Sequence, residues 1–462
     1  MILGAHGTFL VGQLYRPGGT RGEGAVPVAL RGTTECGNRR FQRRSFMTIL
    51  ANTDTMHIHN ERLSLVYVSL AMITVGTLLA ETGASLDLMV RHLGLSEAQQ
   101  GNLVSARFFG GVIFGVVLWV RATTIPLGRW MQGTVLLTLA TAPLLLIDSY
   151  LAAYTGALVR GFTAGFVIPA AGVYAASQTR WNAGMIAGIA NAALSGGLVL
   201  VSVVALAIST AEWARWEYYW ALGPVLAVPT LVIGKLGGAA IAPLPSGHTD
   251  SLRSVGQRVR DLFAETTWPF AAASFFIVGT ESIFFGLVPR LSAILAATRS
   301  GTPGTSGSSG TVSTGGWVWT TEQYALTVMV GVFGGRVVGS YLLKHFSPRV
   351  VLIVSMGAMG AAGVMWATLP APAIAAAVLG FGLATANLFP ALIGAVSNAL
   401  RSEAPTTVAA MGWTGASGGT VIPPLVGILL AAGLPVPWMG VVAVVPALVA
   451  VTVSVLMLAE RR

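Results

Sequence analysis

The sequence predicts an all-α integral membrane protein: twelve transmembrane helices in two six-helix bundles related by a parallel repeat. Three observations predict it. Aliphatic, aromatic and cysteine residues fill 54% of the 462 positions while charged residues make up only 10%, a balance outside the range of water-soluble domains. Windows of about twenty apolar residues, the length a helix needs to cross a bilayer, recur from Leu63 to Leu458 with short polar gaps. The two halves also share residue patterns at a nearly constant offset, developed below.

In chain order, the first six spans fall near residues 63–86, 99–120, 130–147, 150–176, 183–207 and 219–234. A polar stretch with Arg253, Arg258 and Arg260 follows. Six further spans lie near 268–288, 324–343, 350–369, 371–396, 407–432 and 439–457. The organisation is therefore an arm over 1–60, a bundle over 61–238, a linker over 239–265 and a bundle over 266–462. The 57 glycines suit close approach of helices in lipid, where small residues make the contacts. Residues 1–46 hold seven arginines and nine glycines without a helical period, so the arm is expected to be disordered and basic, with Met47 an alternative start. A basic segment lying on anionic lipid is the other reading of that arm.

Loop charges orient the spans. The arm, Arg121, Arg129, Arg180, the linker, Lys344, Arg349, Arg401, Arg461 and Arg462 all fall on one side. The other side carries only Arg91, Arg215 and Arg299, with Arg290 near a span end. Both termini and the linker are thus expected in the cytoplasm of a multi-pass plasma (inner) membrane protein, and the Gly/Ser/Thr run over about 299–320 becomes a flexible external loop.

The repeat is visible residue by residue. Phe109-Gly110-Gly111 returns as Phe333-Gly334-Gly335, 224 positions later, and Ser96-Glu97 is matched to Thr321-Glu322. Gly161, Pro169 and Arg180 return as Gly382, Pro390 and Arg401 at an offset of 221, and Ser195-Gly196-Gly197 as Ser417-Gly418-Gly419 at 222. Two such halves can rock about a site near mid-membrane.

Several function classes are disfavoured. The formal charge of +10 is spread over loops and not gathered with interleaved aromatics, so nucleic acid is not an expected partner. The lone Cys36 offers no disulfide framework, and the six histidines sit in loops or ends, so no metal site and no cofactor are expected. There is no phosphate-cradling glycine loop and no nucleophile constellation, so the chain is not read as an enzyme.

The segment from Ser96 to Gly115 resembles the second-helix signature of the major facilitator superfamily, and Arg160 through Pro169 is similar to its fourth-helix arginine-and-glycine pattern. In the second half, Val278-Gly279-Thr280-Glu281, Gly335-Arg336-Val337-Val338-Gly339-Ser340, Phe346-Ser347-Pro348-Arg349, Phe389-Pro390 and the run from Gly418 to Leu425 resemble the fucose, galactose and glucose proton symporters. Two elements depart: Val167-Ile168-Pro169-Ala170 stands where those symporters carry Asn-Pro-Tyr, and residues 121–129 lack the superfamily's usual aspartate. The resemblance implies a secondary transporter working by alternating access, functional as a monomer, moving a sugar or small polar solute with protons; sodium is the other coupling ion. The alternatives are an exporter of amphipathic compounds and a non-transporting receptor or scaffold.

Charged side chains inside hydrocarbon are costly and mark sites by default. Glu81 and Glu281 are the candidate proton carriers, because a carboxylate stripped of water holds its proton more readily; a permanent structural ion pair is the alternative for each. Arg160 cannot lose its proton, so pairing Glu81 or Asp87 is its expected role, with Arg107 competing for the same carboxylates. Asp87 either corresponds to the symporters' first-helix aspartate or is a solvated helix end. Arg336 is expected at a cytoplasmic gate, with snorkelling toward the interface as the alternative. Asn191, Asn387 and Gln323 are candidate partners for solute hydroxyls or ordinary interhelical bonds, and Trp413 and Phe389 candidate platforms for a sugar face or plain packing.

Overall fold

The computed structural model describes the backbone of residues 39–121, 125–177, 183–208, 211, 215–237, 257, 260, 267–299, 319–400 and 404–438, with Val445, Leu448 and Thr452 beyond them; the side chains of 39–61, 97, 98, 183, 184, 236 and 237 are left aside. The chain divides into two units between Met56 and His57. The disordered-arm expectation for 1–38, most of the 239–265 linker, the external loop over 300–318 and the twelfth span all lie outside the described residues.

Every regular element described is a helix: α1 Arg39–Leu93, α2 Glu97–Arg121, α3 Leu127–Ala140, α4 Tyr150–Ser177, α5 Ala183–Ile208, α6 Trp216–Gly237, α7 Trp268–Gly286, α8 Val288–Arg299, α9 Thr321–His345, α10 Pro348–Thr368, α11 Ile374–Thr385, α12 Leu388–Leu400 and α13 Ala404–Ala431. Nine stretches among the described residues are long and apolar enough to cross a membrane. The chain is a multi-pass membrane protein.

Three expected spans are not single rods. The third stops at Ala140 and continues as a 3-10 turn, Ala142–Leu146, whose Pro143 cannot extend an α-helical ladder. The seventh ends at Gly286, and α8, with Pro289 in its first turn, carries helix on to Arg299, beyond the expected end of the span near 288. The tenth breaks at Ala386 and Asn387; Pro390 has no N–H to offer the Ala386 carbonyl, so the ladder opens there.

Glycine lets helices touch at backbone distance. A side chain at Gly161 would collide with the Arg107 backbone, and one at Gly165 with the Gly111 backbone, so α2 and α4 are in direct contact. In the second half Gly382 faces Gly331 and Val328, and Gly335 faces Leu383 and Ala386. Gly197 of α5 meets Gly76 of α1, and Gly418 of α13 meets Phe275 of α7. Gly161 with Gly382, and Gly111 with Gly335, thus meet corresponding partners at the sequence offset, whereas Gly197 and Gly418 lie 221 apart and not at the 222 that aligns Gly197 with Gly419, which meets Phe108 instead. The alignment of Ser96-Glu97 with Thr321-Glu322 is off by one residue. The Ser96 hydroxyl caps the Gln99 amide (3.3 Å) while the Gln99 side chain accepts from the Ser96 amide (2.9 Å), and Thr320 with Gln323 forms the same reciprocal pair. Ser96 matches Thr320, at the offset of 224 that Phe109 and Phe333 show.

Among the described contacts between the first six helices and the rest are those of α2 with α13, α5 with α9 and α4 with α13. α1 and α7 cross at Gly83, where a side chain would strike the Phe285 carbonyl.

Candidate functional site

The α1–α7 crossing organises the charged groups. Glu81 lies two residues before Gly83 and Glu281 four residues before Phe285, so both carboxylates sit within roughly 6 Å of axial rise of the crossing, on its cytoplasmic side in the predicted orientation. Asp87 and Arg290 lie one turn beyond it on the other side.

Glu81 is 1% exposed and its Oε1 lies 2.5 Å from Nη1 of Arg160, also 1% exposed. α4 brings Arg160 there because its small residues let it pack tightly against α2. The guanidinium is held on two more sides: Nε donates to the Thr141 hydroxyl at 3.0 Å, and Trp220 of α6 lies under it at 4.7 Å. The Trp220 indole in turn donates to Ser85 Oγ at 3.1 Å, and that hydroxyl donates to the Glu81 carbonyl at 2.6 Å. Three helices of the first half, α1, α4 and α6, and the junction after α3 thus converge on one ion pair. Glu81 Oε2 and Arg160 Nη2 have no hydrogen-bond partner. Pairing of Arg160 with Glu81 was expected from the sequence; Thr141, Trp220 and Ser85 were not, because nothing local marks a hydroxyl or indole that folds onto a distant arginine.

The second pair lies between α7 and α9. Arg336 Nη2 stands 3.9 Å from Glu281 Oε1, and its Nη1 donates to Ser195 Oγ (2.8 Å) and the Asn191 carbonyl (3.1 Å) of α5. This overturns the snorkelling alternative, since the Arg336 side chain is 2% exposed and reaches another helix instead of the interface. Asn191 serves through its backbone; its amide nitrogen donates back to Ala187 of its own helix at 2.8 Å.

Among the described residues Arg107 makes no ion pair with a carboxylate. Its Nη1 donates to the Leu79 carbonyl of α1, its guanidinium lies 5.3 Å from the Phe108 ring, and Nε and Nη2 have no partner. It is nonetheless near enough to Glu81 to interact through charge. Asp87 does not reach Arg160; it faces Arg290 at 3.6 Å, and Arg290 also donates to the Gln100 side chain. These contacts link α1 and α2 to α8 beyond the crossing.

Other candidates resolve into packing. Gln323 completes the α9 cap and is not a mid-membrane ligand group. Trp413 stacks on Trp119 of α2, centroids 5.6 Å apart and planes 5° from parallel. Asn387, in the break between α11 and α12, presses its carboxamide into the notch that Gly339 leaves in α9. Phe389 is buried in the core. The sequence suggested no metal site; the fold brings one ligand atom each of His92, Asp148 and Glu217 within 4.8 Å. His92 is hydrogen-bonded to Asp148 at 2.8 Å and Glu217 to Arg215 at 2.8 Å. Separations of 56 and 125 residues along the chain hide that cluster from sequence reading.

No family model matches the chain, and no curated relative does. Solved structures do. The E. coli fucose:proton symporter matches with a TM-score of 0.59 over 86% of this chain and 99% of that one, at 16% identity. A major facilitator superfamily proton:xylose symporter bound to 6-bromo-6-deoxy-D-glucose matches with a TM-score of 0.63, over 84% and 94%, at 14% identity. The fold is that of the major facilitator superfamily. A nucleoside transporter shares that fold too, with a TM-score of 0.59 over 85% and 99%, at 11% identity.

Proposed function

We propose that this chain is a secondary active transporter of the major facilitator superfamily, moving a sugar or other small polar solute together with protons by alternating access. One observation carries the reading: two buried carboxylates, Glu81 and Glu281, lie on one side of the α1–α7 crossing and each faces an arginine from a neighbouring helix. A carboxylate that gains a proton releases its arginine, so protonation changes which helices are tied together; that converts a proton into a shape change. Arg336 is the larger lever, because it ties α9 to α5 as well as to α7. Asp87, Arg290 and Gln100 form the external closure in this scheme. The matching glycine contacts and caps support two six-helix bundles of common design, twelve spans in all with the last over 439–457, cytoplasmic termini and a monomer as the working unit. The printed functions of the fucose and xylose symporters support proton and sugar.

The test is uptake by proteoliposomes holding the purified chain, driven in turn by a pH gradient and a sodium gradient. Uptake of labelled hexose or pentose that follows the pH gradient supports the reading. Uptake that follows sodium alone removes the proton, and apolar cations moving where sugars do not would replace the symporter with an exporter.

A further inference from the structure

We infer that the solute carries a carboxylate and that Arg107 is the residue that receives it. This rests on the transport reading above and narrows its substrate class from small polar solutes to organic acids of sugar size.

The first argument is charge balance. Five ionisable groups lie well inside the described helices around the crossing: Glu81 and Glu281 against Arg107, Arg160 and Arg336. Asp87, opposite Arg290, and Glu322, in the first turn of α9, lie toward the outer helix ends. Around the crossing there is therefore one guanidinium more than there are carboxylates, the third buried carboxylate, Glu322, standing at the far end of α9. Leaving a buried charge uncompensated is among the costliest things a fold can do, and a protein that binds an anion there turns that cost into recognition. Protonating either glutamate, as symport requires, makes the excess larger and the demand for an anion stronger.

The second argument is the geometry of the free donors. Arg160 spends Nε on Thr141 and Nη1 on Glu81; Arg336 spends Nη1 on α5 and directs Nη2 to Glu281. Arg107 spends only Nη1, on the Leu79 carbonyl, and that carbonyl belongs to a helix turn and carries no net charge. Its unpartnered atoms are Nε and Nη2, which together form the edge of the guanidinium whose two parallel N–H bonds match the two oxygens of a carboxylate. Of the three buried arginines, this is the one whose whole bidentate edge lacks a hydrogen-bond partner, and its side chain is 3% exposed. That edge also faces the interface between the two sets of helices: a side chain built at Gly286 of α7 would come within 3.6 Å of Nη2. A carboxylate seated there touches α2 and borders α1 and α7, the helices bearing Glu81 and Glu281, so binding and proton coupling share one neighbourhood.

The experiment compares solutes that differ only at one carbon. Purified protein in lipid nanodiscs is titrated with D-glucose and D-glucuronate, and with D-galactose and D-galacturonate, in the absence of any gradient. The expected result is binding of at least one acid about tenfold or more tighter than its neutral partner, the scale of a single charge-assisted pair. Arg107→Gln should erase that preference. Arg107→Lys, which keeps the charge but not the two-pronged edge, should keep only part of it. Unfolding of ligand-free Arg107→Gln provides a readout that a purely structural arginine would move the other way: removing an uncompensated charge should leave the protein at least as heat-stable as the parent. Equal or tighter binding of the neutral sugars, a preference that survives Arg107→Gln, no binding of either acid at millimolar concentration, or a clear loss of heat stability in Arg107→Gln would each overturn the inference. If Arg107→Gln does not accumulate, the Lys variant and the wild-type comparison decide. Failure of the transport reading appears elsewhere, as vesicle uptake indifferent to pH, and does not alter the binding comparison.

Discussion

Replacing Glu81 by glutamine removes one charge from a site with two guanidinium groups around it. Arg160 then loses its ion-pair partner and Arg107 a negative charge with which it interacts. Truncating one member of a buried pair costs about 3–5 kcal/mol, and Glu81→Gln should fall in that range because both side chains are essentially inaccessible. Arg160→Gln should cost less, on the order of 1–2 kcal/mol, since the surviving carboxylate still has Arg107 nearby and the lost contacts are a hydroxyl and an aromatic face. The double variant should cost less than the sum of the singles by about 1–3 kcal/mol. The assay is reversible unfolding in mixed micelles followed by tryptophan fluorescence, with Trp220 lying 4.7 Å from the Arg160 guanidinium as a local probe. Two results would refute the reasoning: single-variant costs that add to within about 0.5 kcal/mol, or an Arg160→Gln variant less stable than Glu81→Gln.

Gly161→Ala should destabilise by about 1–3 kcal/mol because the added carbon meets the Arg107 backbone, whereas Gly196→Ala, which opens onto free space, should be neutral or gain up to about 1 kcal/mol; melting curves of the two compare them directly. Arg336→Gln should lower stability by about 3 kcal/mol and abolish pH-driven uptake, and adding Glu281→Gln should recover much of the stability but none of the uptake. Thr320→Ala should cost about 1 kcal/mol and speed amide exchange in the first turn of α9, while Thr320→Ser should not. Asp87→Asn should leave stability within about 1 kcal/mol, as expected of a partly solvated pair, and change the closing of the outer side, read as the distance between spin labels on α1 and α8.

The helices were legible in sequence because lipid demands long apolar runs, and the buried charges because each stands out against such a run. Glu81, Arg160, Glu281 and Arg336 were all singled out on that ground. What the sequence did not disclose was partnership across distance: Thr141 under Arg160, Ser195 under Arg336, Arg290 opposite Asp87. Such contacts depend on helix rotation, which small-residue faces set collectively and no single residue announces. Helix breaks were missed where proline acts one turn upstream of itself, as Pro390 does at Ala386. Gln323 was misread because a capping glutamine and a ligand-binding one look alike until the backbone amide that uses it is located. The one-residue error in aligning Ser96 arose from matching the acidic neighbours, Glu97 and Glu322, while the conserved physical device was the hydroxyl-and-amide cap.

The Trp119–Trp413 stack has a practical corollary. Two nearly parallel indoles at 5.6 Å couple their strong far-ultraviolet transitions, and such a pair gives a split circular dichroism signal whose sign and size follow the relative orientation of the rings. One indole rides on α2 and the other on α13, helices from opposite ends of the chain. Any sliding of one against the other during a transport cycle therefore rewrites an optical signature the protein already possesses, so the motion can be timed in native, unlabelled material.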